Sequence, residues 1–150
     1  MAGKKILLVE GKGDEHVLKH VVEAGYADAP SSPVPEGVVV APPPGTLLPR
    51  VGIWIMPDNH AEGILEDFLR FLVPEGSRLL EHVESSVASI PEGECLFPKQ
   101  ATPKAIIHTW LAWQEEPGKP LGTAITARYL DPEVEQVDVL VGWLKRIFYP

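Results

Sequence analysis

Lys4-Lys5-Ile6-Leu7-Leu8-Val9-Glu10-Gly11-Lys12-Gly13-Asp14-Glu15 is the stretch on which the fold turns. An apolar run of strand length ends at a carboxylate, passes through a Gly-x-Gly turn and enters an acidic helix start. A strand buried on both faces of a parallel sheet reads as such a run, and open α/β sheets place ligands at the carboxyl ends of their strands. Glu10 is therefore expected at the edge of the sheet where chemistry is done.

A second apolar run, Val51-Gly52-Ile53-Trp54-Ile55-Met56, stops at Pro57-Asp58-Asn59 and reads as another buried strand. If it lies parallel to the first, Glu10 and Asp58 emerge at one edge. Two carboxylates there could share a hard cation, which prefers oxygen ligands. Asp14, Glu15, Glu66 and Asp67 follow on the next helices. Each also has an ordinary explanation: acidic residues in a first turn favour the helix macrodipole, and Asp58-Asn59 can cap the helix that follows.

Between these strands the chain is rich in proline. Pro30, Pro33, Pro35, Pro42, Pro43, Pro44 and Pro49 exclude long helix, and Val38-Val39-Val40 fits a short edge strand. Apolar residues at helical spacing predict helices over 14–25, 62–73, 77–90, 102–114 and 132–148. Strands come early and helices later. The expected architecture is one α/β domain over 1–150, with an α/β part at 1–75 and a helical part at 76–150.

Composition narrows the chemistry. The 150 residues carry a formal charge of −8, against the basic face of a sequence-blind nucleic-acid binder. A bound cation could still present positive charge to a phosphate. The single cysteine, Cys95, excludes an internal disulfide framework and a multi-cysteine zinc site. No apolar stretch reaches membrane-spanning length and no signal-peptide region precedes the first strand, so the expected location is cytoplasmic.

Most other motif readings fail. His16 stands where a dinucleotide fingerprint needs a third glycine, and no phosphate loop or serine-hydrolase elbow is present. His16 and His20 are one turn apart and fit either a metal pair or a solvated helix face. Trp110 and Trp113 share a helix face, which suits a core or a subunit contact. Lys104, in the first turn of the same helix, opposes the macrodipole and is a candidate for a functional role.

The opening Val9–Glu15 motif resembles that of Toprim domains, found in topoisomerases, primases and overcoming-lysogenisation-defect (OLD) nucleases. Four later segments resemble the uncharacterised family DUF3226, itself similar to Toprim domains: Gly52–Asn59, Leu65–Leu69, His108–Gln114 and Pro117-Gly118-x-Pro120-x-Gly122-x-Ala124-Ile125. The resemblance implies a small, mainly parallel Toprim-like sheet of three or four strands with flanking helices. It implies a Mg²⁺ site built by a glutamate after the first strand, here Glu10, and by an Asp-x-Asp pair after a later one. No Asp-x-Asp occurs in this sequence, as though that strand were deleted.

Asp58 could partly substitute for the missing pair, and the resemblance places accessory acidic and lysine positions at Glu66 and Lys104. The expected catalytic set is thus Glu10, Asp58 and Lys104, and the expected metal set Glu10, Asp58 and Glu66, with no separate organic cofactor. The function implied is that of a Mg²⁺-dependent nuclease relative meeting nucleic acid through its metal, with activity weakened or lost. The alternative is a non-catalytic module that binds a partner or a second copy of itself.

Overall fold

The computed structural model describes residues 5–9, 14–26, 28 and 34–149, with side chains from Lys19 onward. Strand β1 (Lys5–Val9) leads into helix α1 (Asp14–Glu23), followed by β2 (Val38–Val40) and β3 (Val51–Ile55). Helices α2 (Leu65–Phe71), α3 (Arg78–Ala88), α4 (Thr102–Ala112), α5 (Leu121–Ala124) and α6 (Glu135–Phe148) complete the described elements, with a 3-10 turn at Lys99–Ala101. The chain forms two units, 1–68 with 135–150, and 69–134.

In the first unit the sheet order is β1-β3-β2. β1 runs parallel to β3, with Lys5 opposite Val51 and Val9 opposite Ile55. β2 runs antiparallel to β3, with Val38 opposite Ile53 and Val40 opposite Val51. This corrects the expectation of a small, mainly parallel Toprim-like sheet: the sheet is mixed, and its β2–β3 pair is antiparallel. The cause lies in the link between those strands. A parallel neighbour needs a crossover of about a dozen residues or more, usually helical. Residues 41–50 contain Pro42, Pro43, Pro44 and Pro49, which cannot form that helix, so β3 returns beside β2 in the opposite direction.

β3 is buried at every position, because it is central and covered on both faces. Val51, Ile53 and Ile55 point to one side, where they join Tyr26, Val38 and Val40, with Val21, Val34 and Leu48 packed against them. Tyr26, just beyond α1, donates its hydroxyl to the Pro49 carbonyl oxygen at 2.7 Å. The alternating residues Gly52 and Trp54 face the other side, against α6.

There Trp54 meets Trp143 with ring centroids 5.5 Å apart and planes tilted by 50°. Trp143 Nε1 donates to the Val38 carbonyl oxygen at 2.9 Å, so a ring buried in apolar surroundings keeps its polar edge satisfied. Two glycines leave room for this contact. A Cβ on Gly52 would stand 2.1 Å from Ile147 Cδ1 and 3.1 Å from Trp143 Cζ2. A Cβ on Gly37, whose φ is +73°, would stand 2.6 Å from Trp143 Cδ1.

In the second unit α3 packs against α4. Ser77 caps α3 by accepting from the Leu80 amide at 3.2 Å, and its hydroxyl also accepts from Trp110 Nε1 at 3.4 Å. Val83, Ile107, Trp110, Leu111, Ala124 and Leu130 are buried. The loop after α4 is braced by Tyr129, whose hydroxyl accepts from the Glu116 amide at 3.1 Å. Glu116 also lies 2.9 Å from Lys119, and this hydrogen bond raises the lysine pKa above its ordinary value.

The clearance at Gly52 is testable. Gly52→Ala should destabilise the protein by about 1–3 kcal/mol through overpacking against Ile147 and Trp143. Ile147→Val removes the nearest methyl, so a double-mutant cycle by urea denaturation should show a favourable coupling of at least about 0.5 kcal/mol.

Candidate functional site

The chain leaves β3 through Met56-Pro57-Asp58-Asn59-His60, at the carboxyl end of the parallel β1–β3 pair. A peptide that reverses this tightly needs its main-chain groups paired, and Asn59 pairs them. It adopts φ 63°, a conformation asparagine tolerates better than most residues. Its amide donates to the Ile55 carbonyl oxygen at 2.8 Å, and its Oδ1 accepts from the Ile55 amide at 2.8 Å. Its Nδ2 donates to the Pro35 carbonyl oxygen at 3.2 Å, tying the turn to the segment before β2. One buried side chain thus closes β3 and holds a second segment to it.

Asp58 forms the outer half of the turn. Its Oδ1 accepts from the amides of His60 and Ala61, each at 2.9 Å. The His60 ring contacts the Asp58 carbonyl oxygen through Nδ1 at 3.0 Å. Trp54 Nε1 reaches the Pro57 carbonyl oxygen at 3.3 Å from inside. Beside this turn lies a cleft of about 280 Å³, bordered by Trp54, Asp58, His60 and Pro35 and by Glu135, Gln136 and Val139 of α6. Two carboxylates, an imidazole and an amide give it an acidic, hydrogen-bonding character above an apolar floor.

The expected site residues are distributed as follows. Glu10 lies outside the described residues. Asp58 borders the cleft, half-buried. Glu66 is buried in the first turn of α2, and it is absent from the described lining of the cleft. Its neighbour Asp67 caps that helix, its Oδ2 accepting from the Ile64 amide at 2.8 Å. Lys104 is exposed on α4 and belongs to the second unit.

Carboxylates suit Mg²⁺ in kind, and Asp58 Oδ1 already accepts from two amide donors. Among the described residues no three His, Cys, Asp or Glu side chains gather in a way that could hold a metal ion. Glu10, the carboxylate expected to share a cation with Asp58, lies outside these residues.

Of the histidine pair, the side chain of His16 lies outside the described residues. His20 Nδ1 lies 3.0 Å from Glu23 Oε2 on an exposed helix face. Trp110 is core, whereas Trp113 is 45 % exposed and lies against His82 with centroids 5.6 Å apart and ring planes tilted by 36°. Cys95 is exposed and free. Sequence reasoning gave Asn59 only a capping role and missed Glu135 and Gln136. The Pro-Asp-Asn tripeptide signals a turn, but nothing in it reveals that the asparagine side chain pairs with Ile55. The two α6 residues reach the cleft only because that helix returns to the sheet.

A family model described as "Protein of unknown function (DUF3226)" matches residues 21–149. No curated protein and no solved structure matches the chain. No helix among the described residues is long and apolar enough to cross a membrane.

Asn59→Ala leaves the Ile55 amide and the Pro35 carbonyl without their partners. It should cost about 2–4 kcal/mol, as expected for buried groups left unsatisfied. Asp58→Ala removes a turn cap and should cost about 1 kcal/mol. Equilibrium urea denaturation of the two variants checks both the magnitudes and their order.

Proposed function

This chain belongs to the DUF3226 family, and on that footing we propose that it is a binding module related to Toprim-type nucleases, with metal-dependent phosphodiester hydrolysis lost. The observation that carries this reading is the use made of Asp58. Oδ1 of Asp58 accepts from the amides of His60 and Ala61, a capping use that a carboxylate at a strand end can have without any metal. Its job is to shape the turn.

The sequence supports the same reading. Phosphodiester chemistry of this type needs carboxylates fixed on rigid strands, and the Asp-x-Asp pair that the nuclease motif calls for does not occur here. What the turn leaves beside it is a cleft with an aromatic floor and hydrogen-bonding walls, a lining suited to holding a ligand or a partner's side chain. Trp113, partly exposed on the second unit, offers a further contact for a partner or a second copy.

Incubation of the full chain with single- and double-stranded nucleic acid in Mg²⁺ or Mn²⁺, beside Glu10→Ala, tests the proposal. Calorimetric titration of both proteins with the metal accompanies it. The expected result is no cleavage above that of Glu10→Ala, whether or not the metal binds. Cleavage that is present in the unsubstituted chain and abolished by Glu10→Ala would overturn it.

A further inference from the structure

A second depression in the first unit, of about 620 Å³, runs beside the edge strand β2 and has a different character from the cleft at Asp58. Val34, Val38 and Val39 give it apolar wall, and Arg50 and Arg146 bring two guanidinium groups to it. Both arginines are held in place by main-chain oxygens. Arg50 Nη1 donates to the Arg146 carbonyl oxygen at 3.0 Å. Arg146 Nη2 donates to the carbonyl oxygens of Gly37, at 2.9 Å, and of Glu36.

These contacts have two consequences. Carbonyl oxygens orient a guanidinium without neutralising it, so the positive charge stays available to a ligand. Each contact also engages a single terminal nitrogen of a group that carries five N–H donors. Two oriented cations beside one depression stand out on a chain whose formal charge is −8. Their ordering is already complete before a ligand arrives, which removes a cost that flexible arginines incur on binding.

We propose that this depression binds an organic phosphate: a phosphate group on Arg50 and Arg146, with an apolar or aromatic body against Val34, Val38 and Val39. A phosphate offers three terminal oxygens that can accept from two guanidiniums at once, more than a carboxylate can. Glu36 also lines the depression and disfavours further negative charge, so the ligand carries one phosphate group rather than a chain of them. The apolar wall makes inorganic phosphate the weaker ligand.

Titration calorimetry of the full chain with phenyl phosphate, inorganic phosphate and benzoate tests this. Phenyl phosphate should bind at least about tenfold more tightly than either of the others, and Arg50→Gln should weaken it by at least about tenfold with the melting temperature unchanged. On the unsubstituted chain, phenyl phosphate should slow modification of Arg50 and Arg146 by phenylglyoxal, read by mass spectrometry. That second measurement holds even if the variant folds poorly. Absence of binding by phenyl phosphate at about 10 mM, well above the affinity range of useful small-molecule sites, would overturn the proposal. So would equal binding of benzoate, or arginine labelling that phenyl phosphate leaves unchanged.

Discussion

The contact between Trp54 and Trp143 is the constraint around which the first unit is arranged. Two large rings meet on one face of a three-stranded sheet, and each must still place its indole N–H against an acceptor. Trp143 finds the Val38 carbonyl on the edge strand, and Trp54 finds the Pro57 carbonyl in the turn after β3. The rings therefore connect the helix to the edge strand and the central strand to its exit turn. Glycine at 37 and 52 is the other side of the same requirement, because any Cβ there would enter the space that Trp143 and Ile147 occupy. Close packing of this kind tolerates neither extra volume nor a void.

The turn after β3 shows polar residues at a sheet edge serving structure. Carboxylates at the end of a sheet strand are easily read as metal ligands. Here the two polar residues share the work of closing the turn. Asn59 pairs with Ile55 and Pro35, and Asp58 gathers the amides of His60 and Ala61. The hydrogen bonds that order the turn engage one oxygen of Asp58, and the same residue borders the cleft. The arginines beside β2 present the contrasting case, since their partners are neutral oxygens and their charge is left intact.

Much of this architecture is legible in the residues. Val51–Ile55 reads as a strand buried on both faces, and the helical spacings match α3, α4 and α6 closely. Strand direction is harder to read, because apolar runs look alike in parallel and antiparallel neighbours. The deciding information sits in the proline-rich link 41–50, which has no helix to carry a parallel crossover. The candidate site was legible at Asp58 as a position, whereas its amide partners were not, since a carboxylate's hydrogen-bond partners depend on the path of the turn. Glu135 and Gln136 were invisible for a similar reason: their distance from Trp54 along the chain says nothing of their nearness in space.

The discontinuity of the first unit bears on the order in which it can be made. Its sheet comes from residues before 69, whereas Trp143 and Ile147, which cover one face, come from after 134. During synthesis the Trp54 face must stay uncovered until the whole of 69–134 has been added, a span over which exposed apolar surface invites chaperones and misassembly. Closing so long an intervening segment adds little entropy beyond a short one, because that penalty grows only logarithmically. Premature termination anywhere after β3 and before α6 would thus release a chain with its tryptophan face open, a form suited to rapid disposal by quality control.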